Sequence, residues 1–156
     1  MYQGKTIRAL RIEDGCIELC FDRHGSAINK LDQLAIGELA ESVKWITSQR
    51  DVRGVLITSA KDSFIVGADI TEFLGMFELP DEQLSSIFAK AHDAINSLED
   101  LPVPTVAAID GFALGGGLEL ALAADWRVLA ETAQIGLPEV NLGLFPGYGG
   151  TVRMPR

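Results

Sequence analysis

A run of glycines between two apolar segments constrains the fold of this chain more than any other feature. Thr105–Ile109 has the composition and length of a buried strand, three consecutive glycines occupy 115–117, and residues 118–122 are suited to a helix. A strand that ends in glycines and restarts as a helix exposes bare backbone, so a ligand oxygen can approach unpaired amide N–H groups of the first helical turn. The pattern therefore predicts an anion-holding turn at the end of a strand.

Two glutamates accompany such turns. Glu119 falls in the predicted first helical turn, and Glu139 follows a second glycine-containing stretch at 135–138. The stretch after it, 142–150, is too apolar and glycine-rich for an ordinary solvated loop. Carboxylates beside amide donors favour acid/base chemistry on a carbonyl compound. A helix-dipole role would explain Glu119 alone and a solvated loop position would explain Glu139 alone, but neither explains why both follow glycine-rich breaks.

Composition limits the size and the partners of the protein. With 156 residues, of which 47% are hydrophobic, the chain can bury one core, so we expect one domain or part of one. The formal net charge of −9 argues against a nucleic-acid partner or an anionic membrane surface. The sequence has no run long enough to span a membrane and no apolar amino-terminal signal segment. A cytoplasmic location is expected.

The cysteines and histidines predict no metal site. Cys16 and Cys20 lie on one face of an alternating, strand-like segment, where four residues separate their Cα atoms by roughly 13 Å, too far for a disulfide. They are expected to be free thiols. His24 and His92 have no cysteine or second histidine at ligand spacing, so neither is assigned to a metal.

Strands and helices alternate along the chain, which predicts an α/β fold. The strands are predicted at 7–12 and 16–21, as a hairpin around 14–15, and at 54–59 and 105–109. A first helix is predicted from about Leu31 with Asn29 as its cap. A second begins near Pro80, with a core face formed by Leu84, Ile87, Phe88, Ala91, Ile95 and Leu98. The loop at 60–70 follows the strand at 54–59, where α/β folds place ligands.

The glycine run does not match a nucleotide-binding motif. A dinucleotide turn needs G-x-G-x-x-G, and Gly115 and Gly117 supply the first two glycines, but Leu120 stands where the third belongs. Glu131 has the spacing of a ribose ligand, yet no glycine is followed by Lys-Ser or Lys-Thr as a phosphate-binding loop requires. A nicotinamide site is therefore not predicted. Glycines can also serve only for close helix–strand packing, which is less persuasive for three in a row.

Five segments together resemble the crotonase superfamily, the enoyl-CoA hydratases and isomerases. They occur in the family's order and spacing at 63–70, 104–119, 124–128, 135–139 and 143–151. Residues 136–140 and 151–156 further resemble the amino-terminal hydratase part of the α subunits of bacterial fatty-acid oxidation complexes. The resemblance covers nearly the whole chain. It implies a crotonase-like α/β fold of repeated β-β-α units.

The resemblance assigns roles to residues that match the family's motifs. Glu119 and Glu139 match the two catalytic glutamates, and Ala68 and Gly116 match the two residues whose backbone N–H groups form the oxyanion hole. The substrate-binding positions implied by the family are Ala27, Val66, Gly67, Gly115, Pro138 and Gly147. An acyl-chain pocket at Phe73, Leu74, Met76 and Phe77 and a helix-packing role for the same residues are equally compatible with the pattern. The family also binds coenzyme A in a groove that residues 26–29 and 65–68 would line. Arg23, Lys30 and Lys61 are the cations near this groove; each could contact the phosphates or be an ordinary solvated surface charge, and the surface charge is preferred.

The function implied by the resemblance is reversible addition of water to trans-2-enoyl-CoA in β-oxidation, together with enoyl-CoA isomerisation. No cofactor is implied beyond the coenzyme A thioester substrate, because NAD would belong to a dehydrogenase part outside this sequence. Residues 1–156 are expected to be the amino-terminal part of the hydratase domain in a longer chain, truncated before the carboxy-terminal helices, with a thiolase subunit as partner. The alternatives are another crotonase-type reaction such as acyl-CoA hydrolysis, and a non-catalytic acyl-CoA-binding or assembly fragment.

Overall fold

The computed structural model describes residues 1–76 and 78–155, apart from the side chains of Phe73 and Leu74. Its strands are β1 (Tyr2–Gln3), β2 (Ile7–Arg11), β3 (Cys16–Phe21), β4 (Gly54–Ser59), β5 (Thr105–Ile109), β6 (Phe112–Leu114), β7 (Trp126–Leu129) and β8 (Gln134–Gly136). Its helices are α1 (Gln33–Ser48), α2 (Ile70–Met76), α3 (Asp81–Glu99), α4 (Gly116–Leu122) and α5 (Gly150–Arg153). Short 3₁₀ turns cover Glu13–Gly15 and Glu139–Leu142.

Two sheets form the framework. The larger sheet has the order β1-β2-β3-β4-β5-β7, with antiparallel pairs between β1, β2 and β3 and parallel pairs beyond them. The smaller sheet pairs β6 with β8 in parallel, and the single bridges Ile65↔Ala113 and Leu31↔Ala68 continue it. Each repeated unit of the chain thus contributes one strand to the larger sheet, then an extended segment to the smaller sheet or its bridges, and then a helix. The predicted α/β fold of repeated β-β-α units is confirmed.

The predicted hairpin of β2 and β3 is also confirmed. Ile7 pairs with Phe21 and Arg11 with Ile17 in antiparallel register. The turn between them uses positive φ angles of 56° at Asp14 and 75° at Gly15, a conformation that glycine and aspartate tolerate better than most residues. The periodicity of the sequence was sufficient here because the turn and both strands are local.

The predicted cap of the first helix is wrong. Asp32, not Asn29, caps α1, because the Asp32 carboxylate accepts the backbone N–H of Ala35 at 2.9 Å. Asn29 is buried and joins three segments instead. Its side-chain amide donates to the carbonyl of Phe21 at 3.0 Å and to the Ser59 hydroxyl at 2.9 Å, while its Oδ1 accepts the N–H of Arg23 at 3.0 Å. Asparagine suits both a helix N-cap and a buried position that hydrogen bonds to several backbone segments, so the sequence could not distinguish the two roles.

The predicted core face of α3 is correct only in its second half. Ala91, Ile95 and Leu98 are buried, whereas Leu84, Ile87 and Phe88 are only half-buried. The buried part packs on α1 in the main core, which also includes Leu39, Val43 and Ile46. Within the described residues, no helix has the length and apolar character needed to cross a membrane.

Close packing sets the position of α4. A Cβ atom on Gly117 would stand 2.8 Å from Ile65 Cβ and 2.9 Å from the Ile65 carbonyl carbon, closer than real side chains approach. The helix can therefore lie directly on the Ile65 backbone only because Gly117 has no side chain. This contact brings the start of α4 beside residues 65–68.

Candidate active site

Glu119 is buried in the first turn of α4 and is held by backbone. Its side chain is 2% exposed, and its Oε1 accepts the N–H groups of Tyr148 and Gly150, each at 2.8 Å. The apolar, glycine-rich stretch at 142–150 thus folds over the carboxylate, which is why it does not have the composition of a solvated loop. A Cβ atom on Gly150 would stand 3.0 Å from Glu119 Oε1, so a side chain there would press on the carboxylate.

Arg153 braces the segment that holds Glu119. Arg153 donates from Nη1 to the Tyr148 carbonyl at 3.0 Å, and its guanidinium also contacts Asn96 and Glu99 near the end of α3. The backbone of residues 148–150 is therefore anchored to α3, and Glu119 is positioned by an element distant in sequence.

The surroundings of Glu119 raise its pKa. Burial, which disfavours the charged form, is the largest cause, and the negative charge of Glu139 acts in the same direction. The N–H groups of Gly150 and Tyr148 and the nearby His92 oppose that rise. The net direction is upward, which brings the carboxyl group nearer to conditions in which it can exchange a proton.

Glu139 comes from the segment after β8 and lies beside the residue that precedes α4. It opens the 3₁₀ turn Glu139–Leu142 and is half-buried. Its Oε1 lies 3.1 Å from the position that a Cβ atom on Gly115 would occupy, directly before α4. Its Oε2 is buried and has no hydrogen-bond partner among the described residues. A buried, unpartnered carboxylate oxygen beside a helix start is costly for stability and is typical of a group reserved for a ligand.

The backbone N–H of Ala68 is directed away from the neighbouring segment. Gly67 and Ala68 share one trans peptide, and the Gly67 carbonyl accepts the N–H of Leu31 at 2.9 Å. Because C=O and N–H of a trans peptide point in opposite directions, the Ala68 N–H points away from Leu31. The next peptide is also held, since the N–H of Asp69 donates to the Leu31 carbonyl at 2.9 Å.

The N–H of Gly116 is directed outward for a similar reason. The Gly115 carbonyl accepts the N–H of Glu119 at 3.0 Å inside the helix, so the Gly116 N–H of the same peptide points out of the helix start. Gly115 has φ 51° and ψ −127°, a combination that in practice requires glycine. A Cβ atom on Gly115 would stand 3.9 Å from Gly67 Cα, so the two segments that carry these N–H groups are neighbours.

The other predicted substrate-binding residues are distributed around this centre. Gly67 and Gly115 are in the two neighbouring segments, and Val66 is tied to Asn29 by a 3.0 Å backbone hydrogen bond. Pro138 directly precedes Glu139 and is exposed. Ala27 is exposed on the loop before α1, and Gly147 is half-buried in the stretch over Glu119; neither hydrogen bonds to a glutamate among the described residues. Their substrate contacts stay predictions.

Of the four residues predicted to line an acyl-chain pocket or to pack a helix, the structure locates the side chain of Met76 only. Phe77 and the side chains of Phe73 and Leu74 lie outside the described residues. Met76 is 8% exposed and lines a groove of about 1020 Å³ between α1 and α3. Tyr148 also lines this groove, and its backbone N–H donates to Glu119, so one end of the groove lies close to Glu119.

The three cations near the site are each paired with an aspartate. Arg23 pairs with Asp32 at 2.5 Å, Lys61 pairs with Asp22 at 2.8 Å, and Lys30 pairs with Asp69. The sequence did not reveal these pairs, and the preference for surface charges over contacts to coenzyme A phosphates stays a prediction. The roles of Tyr148 and Gly150 were not predicted from the sequence. The apolar glycine-rich stretch was the available signal, but its partner Glu119 is about thirty residues away.

No group of three His, Cys, Asp or Glu side chains suited to a metal ion occurs in the described part of the chain. What the described residues do bring together is two carboxyl groups and two outward-facing backbone N–H groups. Such a centre can accept and return protons while stabilising negative charge on an oxygen.

Comparisons with known proteins identify the family of this chain. The family model described as enoyl-CoA hydratase/isomerase matches residues 11–156. The fatty acid oxidation complex subunit alpha of Pseudomonas aeruginosa is 54% identical over 156 residues, which is 100% of this chain and 22% of that relative. The chain thus spans about a fifth of the length of that relative. The corresponding subunit of Pseudomonas putida is 53% identical over the same share of each chain.

Solved structures of enoyl-CoA hydratases share the fold of this chain. An enoyl-CoA hydratase from Bacillus anthracis has a TM-score of 0.85 and 36% sequence identity, covering 97% of this chain and 57% of that one. A protein described as an enoyl-CoA hydratase/carnithine racemase from Magnetospirillum magneticum has a TM-score of 0.88 and 28% identity, covering 99% and 57%. The fold is the crotonase fold. With a family model matching nearly its whole length, the chain belongs to the enoyl-CoA hydratase/isomerase family.

Proposed function

We propose that this chain carries the centre of an enoyl-CoA hydratase, which adds water reversibly to a trans-2-enoyl-CoA and also isomerises enoyl-CoA. The supporting observation is the pair Glu119 and Glu139 at the start of α4. One is buried with a raised pKa, and the other keeps a buried oxygen without a partner. Two carboxyl groups with unequal surroundings suit a reaction that needs one acid and one base.

The thioester oxygen is proposed to bind between the N–H groups of Ala68 and Gly116. Both groups point away from their own hydrogen-bonded segments, and the segments are neighbours. Addition of water at Cβ pushes negative charge onto the thioester oxygen, and one such donor typically stabilises that charge by about 3 kcal/mol. These N–H groups would therefore lower the barrier without taking part in proton transfer.

The two glutamates are proposed to divide the proton transfers. Glu119 holds the attacking water and removes its proton, while Glu139 exchanges a proton with Cα. The negative charge of Glu139 raises the pKa of Glu119, although burial is the larger cause of that rise. Isomerisation needs only removal and return of protons along the acyl chain, so the same pair supports it.

The wider role follows from the relatives and is likewise a proposal. Relatives named as subunit alpha of a fatty acid oxidation complex support β-oxidation as the pathway and a multienzyme assembly as the setting. We infer an acyl-CoA substrate, no cofactor held by these residues, a thiolase subunit as partner and a cytoplasmic location. The net charge of −9 accords with a protein that does not bind nucleic acid.

The test is hydration of crotonyl-CoA by the intact protein and by two variants, Glu119→Gln and Glu139→Gln. Glutamine keeps the shape and removes the acid/base group, so each variant is expected to lose at least about 10²-fold in kcat with little change in substrate binding. Glu139→Gln should also lose exchange of the Cα hydrogen with deuterium from D₂O. Exposed Glu131, changed to Gln in the same way, is the matched control and should keep full activity.

Other products would identify the rival functions. Release of free coenzyme A thiol without hydration would indicate acyl-CoA hydrolysis. Binding of crotonyl-CoA with no conversion, unchanged in both glutamine variants, would indicate a non-catalytic acyl-CoA-binding module and would refute the hydratase proposal.

A further inference from the structure

One charged pair stands next to the proposed oxyanion site without belonging to it. Lys30 pairs with Asp69, the residue directly after Ala68. The Lys30 side chain is 33% exposed, whereas that of Asp69 is only 11% exposed. The remaining oxygen of Asp69 is also used, because Oδ1 accepts the Thr71 hydroxyl at 2.7 Å and the Thr71 N–H at 3.1 Å. Asp69 therefore joins Lys30 to the start of α2.

This pair closes the end of a short ladder. Residues 29–31 and 66–69 run in parallel, joined by the bonds Val66 N–H to Asn29, Leu31 N–H to Gly67 and Asp69 N–H to Leu31, at 3.0, 2.9 and 2.9 Å. Ala68 is flanked by the last two. The last backbone bond of this ladder is the one from Asp69, and among the described residues no further backbone bond joins residues 29–31 to the chain beyond it. The Lys30–Asp69 side-chain pair adds a second connection at that same residue.

The other side of Ala68 cannot restrain the peptide by itself. Gly67 has φ 111°, in a region that glycine enters freely. The orientation of the Ala68 N–H thus depends on attachments to residues 30 and 31 rather than on local side-chain sterics. A displacement of Asp69 would rotate the very peptide whose N–H is proposed to hold the thioester oxygen.

We propose that Lys30 and Asp69 are positioning residues that align the Ala68 N–H for the thioester oxygen. The inference rests on the proposed function, since it deepens the role of the same N–H. It also gives Lys30 a role different from a contact to coenzyme A phosphates. With Asp69 as its neighbour, the Lys30 charge is already compensated. Hydrogen bonds from Lys30 and then from Thr71 lower the pKa of Asp69 to about 2, so Asp69 is ionised at physiological pH.

The test compares Lys30→Met, Lys30→Arg and Asp69→Asn in the intact protein. For Lys30→Met we expect kcat on crotonyl-CoA to fall about tenfold with KM changed less than about twofold, because complete loss of one such donor costs about 10²–10³ in kcat and misalignment loses part of it. Lys30→Arg keeps charge and reach, so it should restore most of the rate. Asp69→Asn keeps an acceptor for Thr71 and should behave like Lys30→Met, and the double variant should be no worse than either.

A spectroscopic measurement separates alignment from general loss of structure. Butyryl-CoA labelled with ¹³C at the thioester carbonyl is not hydrated, and hydrogen bonds to its oxygen lower the carbonyl stretching frequency. We expect a smaller lowering in Lys30→Met than in the unmodified protein. Arg8→Met is the matched control: Arg8 is 32% exposed in a 3.8 Å pair with Asp22, and it should change neither the frequency nor kcat.

Two results would overturn the inference. One is an unchanged carbonyl frequency and kcat in both Lys30→Met and Asp69→Asn. The other is a raised KM for crotonyl-CoA but not for crotonyl-pantetheine, which lacks the nucleotide phosphates, at constant kcat; Lys30 would then be a phosphate contact. If the unmodified protein fails to hydrate crotonyl-CoA, the proposed function fails, yet the butyryl-CoA frequency still tests the alignment, because other thioester reactions would use the same N–H.

Discussion

Gly117 offers a sharp test of how packing controls the site, through the substitution Gly117→Ala. Alanine is favoured over glycine inside a helix by about 1 kcal/mol. Against that gain, the new methyl group would stand 2.8 Å from Ile65 Cβ and overlap the Ile65 carbonyl. The Ile65 backbone cannot retract freely, because its N–H donates to Phe112 and its carbonyl accepts from Leu114, both at 3.1 Å.

The net effect follows from these two terms. Overpacking a rigid contact costs typically 1–3 kcal/mol, and the fixed backbone here argues for about 3. Subtracting the helix gain of about 1 kcal/mol leaves a destabilisation of about 2 kcal/mol. Relief of the overlap moves α4 by about 1 Å relative to residues 65–68, and a displacement of that size at a catalytic centre costs about 10²-fold in rate.

The assay measures denaturation and crotonyl-CoA hydration for Gly117→Ala and for Gly37→Ala. Gly37 is a glycine inside α1, and apart from its chain neighbours and the backbone of its own helix no atom lies within 4 Å of a Cβ placed on it. The same substitution should therefore stabilise the fold there by up to about 1 kcal/mol and leave kcat unchanged. A Gly117→Ala protein that is as stable and as active as Gly37→Ala would refute the packing argument.

Three further outcomes are expected. Gly150→Ala should lower kcat about tenfold with binding retained, because its Cβ would press on Glu119 Oε1 at 3.0 Å; equal kcat in stopped-flow assays would contradict this. Glu119→Gln should stabilise the fold more at pH 8 than at pH 4, because burial raises the pKa of Glu119 in the folded state. The cost of its charge develops as pH rises above the unfolded-state pKa and is complete above the folded-state pKa; a stability difference between variant and unmodified protein that is the same at both pH values would contradict this. Burial opposes the charge of Glu38, but the Thr6 hydroxyl and the N–H groups of residues 5–7 outweigh it and lower its pKa from 4.5, so its stabilisation is present above that value and lost on acidification; Glu38→Gln should abolish that part of the acid sensitivity in pH-dependent unfolding.

The fold was largely predictable because its signals are local. Alternating apolar residues, the turn at 14–15 and the apolar run Thr105–Ile109 each act within a few residues, and the strands and helices lie where those patterns indicate. One error occurred where a polar side chain had two possible partners. Asn29 could cap a helix or join strands, and only the approach of Phe21 and Ser59 decided between them.

In the candidate site too, features with a local signal were predictable from the sequence and contacts between distant segments were not. Glycines next to Glu119 and Glu139 marked the two carboxylates, because backbone that must approach a ligand excludes side chains. The pairing of Arg23, Lys30 and Lys61 with aspartates was not visible, since each partner comes from another segment. Ion pairs between distant residues leave no periodic pattern in a sequence.

By itself, the sequence determined the α/β alternation, the glycine turns and the identity of the two carboxylates, because these depend on composition and spacing within single segments. Only the tertiary structure decided that the amides of Tyr148 and Gly150 hold Glu119, that Glu139 keeps a buried oxygen free of partners in the described residues, and that the Ala68 and Gly116 N–H groups face outward. The physical reason is that hydrogen-bond direction and desolvation depend on which distant segments meet, and those meetings are set by packing of the whole core.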